Sequence, residues 1–181
     1  MRLDGTDPSG AGINEQKVNN EGQALTFATT QSELEHESEE NGAGYVWASD
    51  IVDVAAGNGT VLLVKNTSDT HLHIDNIHIS NGAIASEYTI HLPTVEVTPA
   101  GTAVTGVNLN TTSSNVADAI AKSKETDNAQ GNVIGTVWLA VDRDRNFLTP
   151  GLIIGKNKSI AIDVVVDTAE SAVEITGHYE V

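Results

Sequence analysis

Residues 60–92 carry the pattern that most limits what this chain can fold into. An apolar, β-branched run at Thr60–Lys65 is followed by Asn66–Asp69, whose side chains favour turns because they bond their own backbone. A second extended segment starts at His71 and is broken by an Asn-Gly pair, and Glu87–Leu92 then supplies a third, which is ended by a proline. Because no helical period separates these short segments, the block predicts antiparallel β-structure.

The segment that begins at His71 changes its alternation partway along. His71, His73 and Asp75 fall on one face of an extended chain, and the apolar residues between them fall on the other. The next isoleucines, from Ile77 onward, have the wrong parity to continue that arrangement. We therefore predict a β-bulge or a strand crossing near Asp75–Asn76.

The rest of the folded region repeats short strands separated by Gly, Asn and Pro. One polar interval, residues 110–131, interrupts them, and Asn115 is placed to cap a short helix that runs to Ala121. Strands are predicted at Val95–Thr98, Ala103–Leu109, Asn132–Asp142, Leu152–Ile154, Ser159–Val166 and Ala172–Tyr179. About eight to ten strands without strand–helix alternation predict an all-β fold, namely an antiparallel β-sandwich of jelly-roll-like form.

Residues 1–44 are rich in Gly, Asn, Gln, Ser and Glu, and their apolar residues are scattered. Such a segment cannot bury enough surface to offset the entropy lost on ordering. We predict an extended polar arm over residues 1–44 and a β-sandwich domain over residues 45–181. Within the arm, Gln23–Thr30 can form a strand if a partner is supplied. The acidic run Gln31–Glu40 is interpreted as a solvated linker, with a brief helix or a specific cation or partner site as the alternatives.

The chain carries a formal charge of −16, from 25 acidic and 9 basic residues. Its field repels phosphate backbones and anionic lipid, so we expect no nucleic-acid and no membrane partner. The sequence has no cysteine, which excludes disulfides and thiolate metal sites. It shows neither the apolar core of a signal peptide nor a run of about 18 apolar residues that would span a membrane. If the protein leaves a cell, we expect a route other than general secretion.

His71, His73 and Asp75 form the sharpest candidate for a functional site. Two imidazoles at i and i+2 on one strand face can reach a single ion, and a carboxylate two residues further on completes a three-ligand set suited to zinc or another transition metal. The alternative is that they are ordinary half-exposed strand residues, since the chain also places His78 and His91 in strand-forming segments. A bound metal can also lie on a three-fold axis between subunits rather than in a pocket.

Other catalytic patterns are missing from the sequence. There is no Gly-x-Ser-x-Gly elbow, no cysteine nucleophile and no phosphate-binding Gly-x-x-x-x-Gly-Lys loop. Asp142–Asn146 alternates like a calcium-binding loop but lacks the required Gly and terminal Glu, so we interpret it as a charged hairpin tip. No pair of acids is singled out for sugar hydrolysis. We predict that the chain is not an enzyme and has neither catalytic residues nor a cofactor, apart from the metal ion considered above.

Three phrases of the sequence resemble structural proteins encoded by tailed bacteriophages. They are VLLVKNTSDTHLHIDNIHIS, TIHLPTVEVTPAGTAVTGVNLNTTSSN and GNVIGTVWLA, all within residues 60–140. Those proteins are also similar in having a short polar N-terminal segment near a Leu-Asp-Gly-Thr start, an acidic stretch, and a β-sandwich that decorates or reinforces the virion. The resemblance brings no catalytic residues with it.

The resemblance implies a virion structural protein of a tailed phage, most specifically a capsid decoration or head-associated protein. Such a protein assembles in the host cytoplasm, is released with the particle, and binds the major capsid protein or other virion proteins. We expect a homo-oligomer, with a trimer preferred. The arm, residues 1–44, is expected to anchor the protein to the shell or to lie on a neighbouring subunit.

The main alternative is a carbohydrate- or receptor-binding sandwich. In that case Trp47, Tyr88 or the loop 110–131 contacts a surface glycan. Trp47 and Trp138 both lie among apolar β-branched residues, which favours packing in the core over a sugar-stacking platform. A metal-dependent enzyme built on His71 and His73 is a third interpretation.

Overall fold

The computed structural model of the chain describes residues 4–6, 13–15, 32–54, 59–94, 98, 100–125, 131–165 and 168–180. The chain divides into two compact units, Met1–Gln31 and Ser32–Val181. In the first unit, strands β1 (Asp4–Thr6) and β2 (Ile13–Glu15) pair antiparallel. The strand predicted at Gln23–Thr30 lies outside the described residues, as does most of the one predicted at Val95–Thr98.

The second unit consists mainly of strands. It begins with a single helical turn, α1 (Glu33–His36), which continues into a π-helical turn (Glu37–Asn41). Its strands are β3 (Gly44–Ala48), β4 (Val52–Val54), β5 (Gly59–Asn66), β6 (Leu72–Asn81), β7 (Ser86–Pro93), β8 (Thr102–Val104), β9 (Val107–Asn108), β10 (Ala119–Glu125), β11 (Gly131–Leu139), β12 (Asp144–Ile154), β13 (Ser159–Val164) and β14 (Thr168–Tyr179).

These strands form two antiparallel sheets. Sheet I has the order β11-β7-β13-β5-β10-β8, and sheet II has the order β12-β6-β14-β3-β9, with β4 also pairing with β14. The all-β antiparallel sandwich predicted from the sequence is therefore confirmed. Its jelly-roll-like form stays a prediction.

One apolar cluster joins the two sheets. Leu62 and Ile162 of sheet I belong to it, as do Ile77, Ile175 and Trp47 of sheet II, and all five side chains are buried. Burying an aliphatic side chain of this size stabilises the fold by about 1.5–3 kcal/mol. Trp47 packs in the core, as its β-branched neighbours predicted.

Asn66, at the end of β5, bonds to both sheets through a fully buried side chain. Its Nδ2 donates to the carbonyl of Ile154 at 2.9 Å and to that of Thr70 at 2.8 Å. Its Oδ1 accepts the backbone N–H of Ser68 at 2.9 Å. Because Ile154 ends β12, one amide fixes the turn after β5 and links sheet I to sheet II.

Asn81 makes a similar set of bonds at the end of β6. Its Nδ2 donates to the carbonyls of Ile84 at 2.7 Å and Ala140 at 3.0 Å, and its Oδ1 accepts the hydroxyl of Tyr88 at 2.9 Å. Tyr88 belongs to sheet I, so this amide also joins the sheets.

The predicted bulge is present in β6. The ladder with β14 pairs Asn76 with Thr176 but Ile74 with Gly177, which leaves Asp75 as the extra residue. The isoleucines on both sides of the shift are therefore buried in the same core. The change of parity in the sequence thus identified a real feature of the sheet.

The described part of the acidic run at Gln31–Glu40 is a brief helical segment, which was one of the two conformations predicted, and not a solvated linker. Residues 33–41 form α1 and the π-helical turn, in which Glu37 is buried and accepts a bond from Asn41 Nδ2 at 2.7 Å. Gly42 ends this turn with a left-handed φ of 60°. The structure also places the division between the two units after Gln31, earlier than the expected boundary at residue 44.

The predicted helix from Asn115 to Ala121 is also wrong. Ala119–Glu125 forms strand β10, which pairs with β5 on one side and β8 on the other. Ala121 is buried in the core as a result. Two neighbouring strands supply hydrogen bonds that outweigh the weak local preference of this segment for a helix.

Gly177→Ala tests the close approach of strands at the bulge. A Cβ at this position would collide with the backbone carbonyl oxygen of His73. Since backbone cannot move away cheaply, we expect the free energy of unfolding to fall by roughly 1–3 kcal/mol, measured by urea denaturation. Gly155→Ala is the control, because nothing lies within 4 Å of its added Cβ. Equal effects of the two substitutions would contradict this explanation.

Candidate functional site

A cluster of histidines and carboxylates lies where β6 and β14 pair. His73 and His178 are register partners, and their rings stack with centroids 5.0 Å apart. His178 Nδ1 lies 2.9 Å from Asp75 Oδ2, and His73 Nε2 lies 3.5 Å from Glu180 Oε2. His178 is buried and Glu180 is exposed. Each imidazole thus has its own carboxylate.

This arrangement differs from the predicted ligand set of His71, His73 and Asp75. His71 is exposed and precedes β6, while Asp75 pairs with His178. Across the described part of the chain, no three His, Asp or Glu side chains are placed to share a metal ion. The structure therefore brings two of the predicted residues to one cluster and leaves His71 outside it.

His178 is the member that sequence reasoning missed. Glu174, Thr176 and His178 lie at every second position along β14 and are polar. The residues between them are buried. That pattern predicts a strand with one outward face. It does not say which strand lies beside it, so the pairing of His178 with His73 required the sheet order.

A second candidate site is a cleft of about 530 Å³ at the end of sheet II. Its floor includes two buried tyrosines, and its rim includes residues of the loop that precedes β10. The lining residues are Ala43, Tyr45, Ser68, Thr70, Ser114, Asn115, Val116, Asp118 and Tyr179. Hydroxyl, amide and carboxylate groups therefore surround a small apolar floor, which suits a polar and uncharged or cationic molecule.

The loop on this rim is held by asparagine side chains. Asn108 Nδ2 donates to the carbonyl of Gly42 at 2.8 Å and to that of Asn115 at 3.1 Å. Asn115 Nδ2 in turn donates to the carbonyl of Asn41 at 3.1 Å. Asn110 Oδ1 accepts the N–H of Thr112 at 3.0 Å. The polar composition of 110–131 thus orders at least its first part instead of leaving it a free loop.

The hydroxyl of Tyr179 is unusual in this cleft. It is buried and has no hydrogen-bond partner among the described residues. Burial raises the pKa of Tyr179, and the negative charge of Asp118 and the neighbouring Tyr45 raise it further. Burial, and then Asp118, raise the pKa of Tyr45 as well. Both phenols are therefore kept in their neutral, hydrogen-bonding form.

Two of the residues expected to contact a glycan cannot do so. Trp47 and Tyr88 are fully buried, and the Tyr88 hydroxyl is bonded to Asn81 and to Ser171 Oγ at 2.7 Å. Four residues of the predicted loop do line the cleft, namely Ser114, Asn115, Val116 and Asp118. Of the glycan contacts expected from the sequence, only the loop is therefore accessible.

The predicted packing of Trp138 in the core is wrong. It was expected in the core with Trp47, but 61% of its surface is exposed. It lies on β11, the edge strand of sheet I, opposite Glu87 of β7. Val137 and Leu139 on either side of it are buried, so the alternation of β11 turns Trp138 outward.

Comparisons with known proteins identify no relative: no family model, no curated protein and no solved structure matches this chain. Within the described residues, every helix is too short or too polar to cross a membrane.

Tyr179→Phe tests the unpartnered hydroxyl. Since no described hydrogen bond is lost, we expect the free energy of unfolding at neutral pH to stay within about 1 kcal/mol of wild type or to rise. The pKa of Tyr179 is raised in the folded protein, so its neutral phenol stabilises the fold at pH values below about 10, the pKa of tyrosine in the unfolded chain. This stabilisation is lost as the pH rises above that value. Tyr179→Phe should flatten that alkaline loss in urea titrations.

Tyr88→Phe is the matched comparison for this experiment. It leaves the partners of a buried hydroxyl unsatisfied, so we expect a loss of roughly 1–3 kcal/mol at neutral pH. If Tyr179→Phe destabilises the protein as much as Tyr88→Phe does, then the Tyr179 hydroxyl is bonded in solution and the explanation above is wrong.

Proposed function

We propose that this chain is a structural protein of a tailed-phage virion, whose sandwich binds shell subunits and further copies of itself. The observation that carries the proposal is that β11, an outer strand of the sandwich, exposes three apolar side chains, and that others are exposed on β9 and in loops. Val133, Ile134 and Trp138 are exposed on β11, while Val107 and Val116 are exposed on and after β9. Grouped exposed apolar surface on a soluble fold is typical of protein–protein contact.

The charge of the chain supports contact with protein rather than nucleic acid. A net charge of −16 repels phosphate, and only limited parts of such a surface can approach another acidic protein closely. The resemblance of residues 60–140 to phage structural proteins supports the same function. That range contains β7, β8, β10, β11 and nearly all of β5, which are five of the six strands of sheet I, together with β6 and β9 of sheet II.

The arm in this proposal is shorter than residues 1–44. Residues 32–44 belong to the same compact unit as the sandwich, and Ala43 is part of its apolar cluster. We therefore assign the anchoring of the protein to its shell to residues 1–31. The major capsid protein or another virion protein is the proposed partner. The trimer expected from the sequence stays a prediction.

A chain that begins at Ser32 tests the anchoring role. We expect it to keep the thermal unfolding of the sandwich but to bind undecorated shells of the encoding phage at least about tenfold more weakly, because the arm no longer orders on the shell. Cosedimentation with purified shells measures the binding. The control is a full-length chain in which residues 1–31 are replaced by a Gly/Ser segment of equal length. Undiminished binding by the shortened chain would assign the contact to the sandwich instead.

The cleft supports a second candidate function, which is binding of a surface glycan. A neutral sugar presents many hydroxyls, and Asp118, Asn115 and Ser114 are available to bond them beside the exposed Val116. Asp118→Asn should weaken saturable glycan binding by about tenfold or more, since charged hydrogen bonds are roughly twice as strong as neutral ones. Glu40→Gln, an exposed change of the same kind outside the cleft, is the control. A glycan array followed by calorimetry measures both, and the absence of any saturable ligand would remove this candidate.

A further inference from the structure

The cleft at the end of sheet II contains one charged side chain, that of Asp118. Among the residues that the structure describes, none forms an ion pair or a hydrogen bond with this carboxylate. The turn that supplies Ser68 to the lining carries an ion pair between Asp69 and Lys156, so that ammonium is already matched by a carboxylate. The negative charge of Asp118 is therefore left without a counter-ion from the described side chains.

Asp118 is held beside the cleft by its own backbone. Its carbonyl accepts the N–H of Thr67 at 2.9 Å and the N–H of Ser68 at 3.2 Å. These two bonds attach it to the turn that places Ser68 and Thr70 in the lining. A carboxylate on an ordered backbone loses less conformational freedom when a ligand binds than one on a free loop.

The charge of Asp118 acts on the floor of the cleft. Burial first, and then this negative charge, raise the pKa of both Tyr45 and Tyr179. The described lining includes no lysine, arginine or histidine that would offset it, and the whole chain carries −16. Because a charge acts more strongly in a cleft walled by protein than in bulk water, the cleft favours a cation and disfavours an anion.

The hydroxyl of Tyr179 is a second and independent feature that points to a ligand. Tyr179 belongs to the lining although only 7% of its surface is exposed. Its hydroxyl has no hydrogen-bond partner within the described part of the chain. A buried hydroxyl that stays unbonded is unfavourable. A polar group of a molecule seated in the cleft would supply the missing bond, since a neutral phenol both donates and accepts.

We propose that the cleft binds an amino sugar whose protonated amine pairs with Asp118 and whose ring hydroxyls bond the hydroxyl of Tyr179. A cleft of about 530 Å³ is of the size of small-molecule sites. Val116, which is 80% exposed in the lining, offers apolar contact to the C–H groups of a sugar ring. The inference rests on the second candidate function, binding of a glycan in this cleft, and it names the class of sugar that is recognised.

D-Glucosamine and D-glucose test the proposal because they differ at one ring carbon, which carries an amine in the first and a hydroxyl in the second. Titrations of the full-length chain are made in a mildly acidic buffer, in which the amine is protonated. Saturation-transfer NMR and calorimetry give the two dissociation constants. We expect glucosamine to bind at least about tenfold more tightly, since hydrogen bonds between two charged groups are the stronger ones.

Three variants separate the roles of the two contacts. Asp118→Asn should reduce the preference for glucosamine over glucose to about threefold or less, because the ammonium loses its carboxylate. Glu40→Gln removes the same charge at an exposed position outside the cleft, and it should leave the preference unchanged. Tyr179→Phe should weaken binding of both sugars by about threefold or more and keep the preference, because both lose the same hydrogen bond. Circular dichroism and thermal unfolding show whether each variant is folded.

The proposal is overturned if glucose binds as tightly as glucosamine, or if the preference survives Asp118→Asn. Either result leaves the binding of a neutral glycan in place. Unchanged affinities in Tyr179→Phe would overturn the contact with its hydroxyl. If neither sugar binds while a glycan array yields another saturable ligand, the amino sugar alone is wrong, and the absence of any ligand removes the glycan function with it. Shell binding is measured separately, so the virion function stands or falls by its own experiment.

Discussion

Two buried asparagine amides hold the sheets of this sandwich together. Asn66 and Asn81 each donate to carbonyls in the turns around them and also bond across to the other sheet. An unsatisfied buried amide costs about 1–3 kcal/mol, so these side chains tolerate few alternative arrangements of the strands that surround them. The apolar cluster supplies most of the stability, but hydrophobic contact is not directional. The amides fix which strand ends lie next to one another, and the positions of the cleft and of β11 follow from that.

The features of this arrangement that involve residues close together in the chain can be predicted from the sequence. Asn66–Asp69 predicts a turn because short polar side chains bond their own backbone, and the shift of parity near Asp75 predicts the bulge because strand side chains alternate strictly. The contacts between residues far apart in the chain cannot be predicted in this way. Nothing near Asn66 indicates that its amide reaches Ile154, and nothing near His73 indicates His178, because these contacts depend on sheet order. Sequence reasoning therefore located one half of the histidine cluster and added His71, which lies outside it.

The two tryptophans show the same limit in another form. Trp47 and Trp138 both follow valine and precede a small or apolar residue, yet one is fully buried and the other is mostly exposed. The difference lies in the face that each side chain occupies: Trp47 shares the buried face of β3 with Tyr45, while Trp138 points outward between the buried Val137 and Leu139 of β11. The solvated linker predicted at Gln31–Glu40 is not observed, because residues outside the run decide its environment. The composition of the run favours exposure to solvent. Ala43 and Tyr45, just beyond it, belong to the apolar core, so the helical segment that precedes them packs against the fold.

The cleft and the β11 edge are well separated across sheet I. In sheet I, β11 is separated from β10, the strand that follows the loop on the cleft rim, by β7, β13 and β5. At about 4.8 Å between neighbouring strands, the two lie roughly 19 Å apart across the sheet. A partner that contacted the exposed face of β11 would therefore leave the cleft, with Tyr45 and Tyr179 among its lining residues, open to a ligand.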